Sequence, residues 1–494
     1  MSRLSTVAHY LGIILVVFAF LQALPLIVSA FAEETVRFPA LTYGSPAAIC
    51  LVLGTVLSRR FRPRELTAGE AMAVGVLGWV VLSMVGAIPL WIALDFSYFD
   101  MLFESVSGFT TTGMTVILSG SRGLAQIGLE DLPNSLQVWR ALTQWIGGLG
   151  IFTLFLAVTL RGGSRHHLLA AETHKAIAGR PVPGLLHSLR ILWTVYGLLT
   201  VACAGILFGL TRDPIDAVVH ALTALSTGGF STYDASVGAF RSGPHAAAIE
   251  YTLIVFMLLG GTSFLVHWNA MRCRFRSVTR NPELRLWLLL LLGATLLVAL
   301  RAGPGSTAGL HERVRTSLFH VVSVATTTGF TTRDLGSVVF SGVAHQVFLL
   351  LMLIGGCVGS TAGGLKVSRL LLMLRLLRHG AKRTVLPPAA VAPLMIDGQR
   401  IAHTEIVRCA TVVFGWMLFL AVGAVVLSLT TSLSASSALS GSFSALGNVG
   451  PSLITAEEFA GLGVAAKLWM MFAMIAGRLE ILPVLVLVQR QVWR

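Results

Sequence analysis

The sequence predicts an all-α polytopic membrane protein: two N-terminal transmembrane helices, then four pseudo-symmetric repeats of span, short helix and span. Three observations predict it. Of 494 residues, 55% are hydrophobic and only 12% charged, with mean hydropathy +0.80. Soluble domains carry roughly 25% charged residues, so polar groups are too few here to cover a water-facing surface. Apolar windows of bilayer-crossing length, about 20 residues, recur along the chain, and a Thr/Gly-rich turn recurs four times between pairs of them. The composition excludes a soluble enzyme, a disordered chain and a secreted disulfide scaffold.

In chain order the apolar windows fall near 9–31, 38–58, 70–93, 136–160, 189–210, 246–269, 284–301, 343–378, 403–430 and 464–488. The first ends in Ala30-Phe31-Ala32, which imitates a signal-peptide cleavage site, but its length and the single preceding Arg3 favour a retained helix. The net charge of +14 is not spread evenly. Basic residues cluster at Arg59–Arg64, Arg161–Arg190, Arg272–Arg285, Lys366–Arg408 and Arg490–Arg494. These are alternate loops, whereas Glu33, Glu34, Glu130 and Asp131 fall in the intervening ones. The positive-inside rule then puts the clusters and both termini in the cytoplasm. Topogenesis accounts for the charge, and no nucleic-acid partner is expected. Cys50, Cys203, Cys273, Cys357 and Cys409 are scattered, with no paired spacing, and read as small apolar residues.

The repeat is the informative element. Its turns read Thr110-Thr111-Thr112-Gly113, Ser226-Thr227-Gly228-Gly229, Thr326-Thr327-Thr328-Gly329 and Gly447-Asn448-Val449-Gly450. Six residues before each last glycine stands a hydroxyl residue (Ser107, Thr223, Ser323, Ser444), and two after it another (Thr115, Ser231, Thr331, Ser452). Each is preceded by a short helix-compatible segment. Glycine permits backbone angles that aim successive carbonyls one way, and hydroxyls add oxygens. Four such turns in one chain make a ring of oxygens able to replace the water shell of a monovalent cation. No carboxylate recurs at the turns, which disfavours a calcium-type ring.

Each second span also carries a small-residue break: Gly147-Gly148, Gly260-Gly261, Gly355-Gly356 and Ala476-Gly477. The first two read more as helix packing. The third continues through Gly359, Gly363 and Gly364 to Lys366, enough glycine to interrupt a helix at about 1 kcal/mol each. Such backbone survives at membrane depth only where protein or water covers it. Arg478 in the last span must likewise face protein or water; an ion pair with Glu480 is one reading. Lys366 could snorkel to the interface. His320 and His345 read as structural, and His166-His167 lacks metal-ligand spacing. No Walker A loop, GxSxG or HExxH occurs, so catalysis is not expected.

These residues resemble the TrkH/KtrB family of potassium uptake proteins. The four turns, Gln144-Trp145-Ile146-Gly147-Gly148, the Gly355–Lys366 break and Gly477-Arg478-Leu479-Glu480 carry the resemblance, from about Ala68 to the C-terminus. The first two spans resemble the extra pair of the TrkH branch. The resemblance implies a K⁺-channel-like plan around a central pathway. The K⁺ ions would meet Thr111, Thr112 and Gly113, then Thr227, Gly228 and Gly229, then Thr327, Thr328 and Gly329, and finally Asn448, Val449 and Gly450. It implies a gate built from Gly355, Gly356, Gly359, Gly363, Gly364, Lys366 and Arg478, with Arg478 a barrier to cations below the filter. Glycine at position 113 matches the K⁺-preferring branch, whereas the fourth turn departs most. It further implies a homodimer in inner-membrane lipid, with a cytosolic RCK-type nucleotide-binding ring and no nucleotide on this chain. The expected organisation is 1–66 (N-terminal pair), 67–165, 166–282, 283–385 (with the gating loop at 355–366) and 386–494. A Na⁺- or H⁺-coupled carrier of a small solute is the alternative; it would need intramembrane carboxylates, which are sparse.

Overall fold

The structure is a computed structural model; it describes residues 3–31, 39–61, 66–117, 128–150, 185–301, 309–387, 393–396 and 399–489. The stretch 151–160 of the fourth window lies outside these residues. So do Glu33, Glu34, Arg62, Arg64, Arg161, Arg165, His166, His167, Lys175, Arg180, Arg490 and Arg494.

The N-terminal pair comprises Arg3–Gln22 continued by Leu24–Phe31, interrupted ahead of Pro25, and Ser45–Arg60. They cross backbone to backbone: a Cβ on Gly54 would stand 2.6 Å from the Gly12 carbonyl oxygen. Small residues allow this approach where lipid offers helices no hydrophobic drive to associate. The repeats then follow one pattern. Their first spans are Ala68–Gly86 with Ile88–Ala93, Leu185–Thr211, Pro282–Leu300 and His403–Thr430. Short helices come next: Tyr98–Phe109, Pro214–Leu225, Leu310–Ala325 and Ala435–Gly447. Ser97, Asp213 and Ser434 cap three of these, their side chains accepting N–H groups of the first turn.

Every described second span is broken. Asn134–Trp145 runs into a π-helical turn, Ile146–Gly150. Ala246–Gly261 turns by 104° into Phe264–Met271. Gly342–Leu353 gives way to a loop that ends at the helix Val367–Arg383. Val464–Arg478 is parted from Leu482–Leu487 by a turn in which Glu480 and Ile481 have φ of 59° and 67°. Windows 343–378 and 464–488 are therefore not single helices, and among the described residues six helical stretches (seven if the bent pair counts as one span) are long and apolar enough to cross a membrane. Glycines cause the first of these two breaks. In the second, Pro483 sits in the first turn of Leu482–Leu487, where its missing N–H suits a helix start but cannot continue the hydrogen bonding of the helix before it. A two-residue antiparallel pair, Met395–Ile396 with Gln399–Arg400, is a small exception to the all-helical expectation. All five cysteines are free, and only Cys273 is exposed.

Candidate functional site

The short helix of every repeat ends alike. Thr111, Thr227, Thr327 and Asn448 lie in the left-handed region, with φ of 54°, 55°, 56° and 55°. The next residues, Thr112, Gly228, Thr328 and Val449, donate their N–H five residues back, to the carbonyls of Ser107, Thr223, Ser323 and Ser444, at 2.8, 2.9, 2.9 and 3.0 Å. This is the Schellman closure of a helix, whose left-handed position ordinarily holds Gly or Asn. A β-branched threonine there is strained, and three repeats retain it. Gly113, Gly229, Gly329 and Gly450 follow at φ of 81°, 75°, 83° and 101°. The upstream hydroxyl residues thus share a carbonyl role rather than a hydroxyl one. Ser323 Oγ donates to the Phe330 carbonyl and Thr223 Oγ1 to that of Val219, whereas Ser107 Oγ and Ser444 Oγ have no partner among the described residues.

The four glycines interlock in a closed circle. A Cβ on Gly113 would stand 2.1 Å from the Gly228 oxygen, on Gly229 2.0 Å from that of Thr328, on Gly329 2.0 Å from that of Val449, and on Gly450 2.6 Å from that of Thr112. Each turn abuts the next, and the fourth returns to the first. Four helix C-termini, each the negative end of a dipole, converge on one ring. All four glycines also line a single cavity of about 810 Å³, with Arg140, Arg241, Arg333, Asp234 and Asp334 on its walls.

Side chains brace this ring. In the first turn Thr110 and Thr112 hydroxyls lie 2.8 Å apart, and in the third Thr326 and Thr328 repeat the pair at 2.8 Å. Turn two is held from outside: Gln144 Nε2 donates to the Gly228 carbonyl at 2.7 Å, and its Oε1 accepts the Phe230 N–H at 3.0 Å. In turn four Asn448 Nδ2 donates to Thr112 Oγ1 and to the Met474 carbonyl, at 3.0 and 2.8 Å.

A further set of residues was not evident as functional in the sequence. Nine residues before the glycine, the first three short helices carry Glu104, His220 and His320, all buried. Glu104 accepts the Thr115 hydroxyl and the Val116 N–H, each at 3.0 Å, and pairs with Arg140 at 2.8 Å. His220 Nε2 lies 3.0 Å from Ser231 Oγ, and its Nδ1 faces the Asp216 carbonyl. His320 reaches the Arg333 carbonyl at 3.0 Å. Each side chain ties its own helix to the limb leaving the turn. The signal was their common offset, hidden because the residue type changes and the fourth helix has Gly441 there, its neighbour Ser440 accepting the Leu453 N–H instead. Beside His220, Tyr233 donates to Asp216; burial and that carboxylate push its phenol above the usual pKa, which keeps it a donor.

The third-repeat break, residues 354–366, lies against the ring. Thr361 Oγ1 donates to the Leu225 carbonyl at 2.8 Å and lies 3.3 Å from Thr227 Oγ1. The Gly363 N–H donates to Thr327 Oγ1 at 2.7 Å. Carbonyls freed by the Gly260-Gly261 break accept the Thr361 and Cys357 N–H groups at 3.2 and 2.9 Å. Within the loop, Gly355 and Gly363 touch so closely that a Cβ on Gly355 would stand 1.9 Å from the Gly363 oxygen. Gly356 presses on Gly261 in the same way, and Gly359 and Gly364 have φ of 73° and 65°.

Arg478 donates to the Thr361 carbonyl at 2.6 Å and to the Gly147 and Gly148 carbonyls at 2.9 and 2.8 Å, so it joins the loop to the first-repeat break. Glu480 pairs with Arg369, which takes that arginine, 3% exposed, out of the basic surface cluster. The Lys366 ammonium turns back to the Ala362 carbonyl rather than out to the interface. Gly147 and Gly260 do pack, against the Phe109 and Leu225 carbonyls, while their own carbonyls serve as acceptors.

A sequence model of TrkH, described as a cation transport protein, matches residues 40–492, so the likeness reaches back past Ala68 into the second N-terminal span. The Trk system potassium uptake protein TrkI of Halomonas elongata is 33% identical over 508 residues, covering 100% of this chain and 98% of that one. The TrkH protein of Escherichia coli K12 is 32% identical over 464 residues, 90% of this chain and 91% of its own length. The crystal structure of the potassium transporter TrkH from Vibrio parahaemolyticus superposes with a TM-score of 0.83 at 29% identity, covering 99% of this chain and 100% of that one. Repeats, ring and full-length likeness agree: the chain belongs to the TrkH family of cation transport proteins.

Proposed function

We propose that this chain takes up K⁺ through the ring of four turns and that the 355–366 loop gates the pathway. The observation that carries the reading is the closed circle of glycines against neighbouring carbonyls. A dehydrated alkali cation needs several oxygens at once without a countercharge that would trap it. Backbone carbonyls of Thr112, Gly228, Thr328 and Val449 supply them, and the relatives named potassium uptake proteins support K⁺ as the cargo. The family is one of transporters, not enzymes. Of the buried carboxylates, Glu104 and Glu250 are engaged by Arg140 and Arg315, so these two do not serve the coupled-carrier alternative.

In this reading the cavity above the ring is the outer mouth, and the basic clusters and both termini face the cytoplasm. Below the ring, the Arg478 guanidinium and the loop close the path; a fixed positive charge there repels cations until the loop moves. A cytosolic nucleotide-binding ring would move it through the helix Val367–Arg383, with this chain working as a homodimer and binding no nucleotide itself. The units 67–165, 166–282, 283–385 and 386–494 are the four quarters of the pathway.

Rb⁺ tracer uptake into liposomes holding the purified chain tests this. K⁺ should compete and Na⁺ should not, and Gly113→Ser should relax that preference. Ion competition unchanged by the substitution removes the ring from selectivity. Deleting Gly356–Gly363 should raise leak flux, and an unaltered rate removes the gate.

A further inference from the structure

We infer that Glu283 is the latch of the intramembrane loop, a positioning residue that holds both of its limbs with one oxygen; the inference rests on the gating reading above. Glu283 stands in the first turn of the helix Pro282–Leu300, whose N-cap Asn281 accepts the Leu284 N–H. Its side chain is 4% exposed. Its Oε1 accepts the Val358 N–H at 2.8 Å and the Ser368 N–H at 3.1 Å. Val358 lies on the limb that leaves Gly342–Leu353; Ser368 is the second residue of Val367–Arg383, the helix that follows the loop.

That helix lacks a cap of its own, since Lys366 at its N-cap provides no side-chain acceptor. Glu283 supplies one from a different element, at the positive end of the helix dipole. The bonds at Thr361 and Gly363 hold the apex of the loop against the ring. Glu283 holds its base from outside, beside the main-chain bonds that join Gly355 to Leu365, Leu365 to Leu353 and Val367 to Gly356. A pull on Val367–Arg383 takes Ser368 away from Val358, so the two N–H groups can no longer share one oxygen. The carboxylate is then left short of a partner in a buried place, a costly state that makes the limbs part together or not at all. The latch therefore sets how far the pathway stays shut without the cytosolic partner.

The test uses the full chain in liposomes without a partner, reading Rb⁺ efflux, K⁺/Na⁺ competition and alkylation of Cys357. That thiol is 1% exposed in the closed loop, and peptide mapping separates it from the other cysteines. Glu283→Ala and Glu283→Gln should raise partner-free efflux about tenfold, Ala more than Gln, the factor expected for one charge-assisted hydrogen bond. Cys357 should alkylate faster, and ion preference should stay as in the unaltered chain. Ser368→Pro removes the donor and spares the carboxylate, and proline is tolerated in a first helical turn. It should act in the same direction, and combining it with Glu283→Gln should add nothing to the larger single effect.

Folded variants with unaltered efflux and unaltered Cys357 labelling overturn the latch, as does efflux that rises only together with lost ion preference. The Gly356–Gly363 deletion separates the two failures. If it raises efflux while the Glu283 and Ser368 variants do not, the latch alone falls; if it changes nothing, the gate reading falls and the latch with it.

Discussion

Across the ring turn one faces turn three and turn two faces turn four, and the two facing pairs are built differently. Their backbones are nearly identical, down to a left-handed residue within a few degrees of φ 55°. Their side chains are not. Turns one and three each carry an internal hydroxyl pair, Thr110 with Thr112 and Thr326 with Thr328. Turns two and four lack it and are fastened from elsewhere, by Gln144 and through Asn448. Fourfold symmetry thus lives in the main chain and twofold symmetry in the packing behind it. A cation reads carbonyl oxygens, so the ring can stay regular while each repeat diverges, provided every turn has some brace.

The largest effect should come from forcing turn two into the pattern of turn one. In Gly228→Thr the new Cβ would stand 2.4 Å from the Gln144 amide, and Rb⁺ flux should fall to that of empty liposomes. Gln144→Ala alone removes two buried hydrogen bonds worth on the order of 1 kcal/mol each, a moderate loss. Together the two changes should recover flux over Gly228→Thr alone, because the threonine gains room and can pair with Ser226. A cycle without such coupling means that Gln144 does not occupy the place of the missing hydroxyl pair.

How much of this was legible in the sequence follows from the same contrast. The turns were legible because glycine and threonine recur in register four times, and main-chain geometry demands those residue types. The break at 354–366 was legible from its glycines. The braces were not. Gln144 lies 84 residues from the carbonyl it holds, and nothing in its own helix points there. Arg478 was conspicuous, but its partners are carbonyls of Thr361, Gly147 and Gly148, and a backbone acceptor leaves no mark on residue type. Hence Glu480 looked like its natural mate, whereas that carboxylate serves Arg369. Glu283 was hidden for the same reason, since both of its donors are main-chain N–H groups.

A middle-sized effect should separate turn four from turn three. Asn448→Ala loses the bonds to Thr112 and Met474 and puts alanine in a left-handed position, which costs roughly 1–2 kcal/mol. Thr328→Val loses one hydroxyl pair, about 1 kcal/mol. Thermal unfolding in detergent should rank Asn448→Ala clearly below Thr328→Val. Equal midpoints mean that turn four is not tied across to turn one.

The smallest effect tests why threonine is kept in a strained place. Thr327 Oγ1 accepts the Gly363 N–H of the loop and Thr227 Oγ1 donates to the Ser226 carbonyl at 2.6 Å, so their strain is offset by bonds. Thr111 Oγ1 is buried without a partner among the described residues. Thr111→Asn installs the residue that turn four already uses there and relieves the left-handed threonine, so stability should rise by on the order of 1 kcal/mol. Thr327→Asn forfeits the Gly363 bond and should gain nothing. If Thr111→Asn stabilises the chain while slowing Rb⁺ flux, the idle hydroxyl is an oxygen offered to the ion as it leaves the ring. If it gains no more stability than Thr327→Asn, the first turn is braced through that hydroxyl, and turns one and three are not the self-contained pair described above.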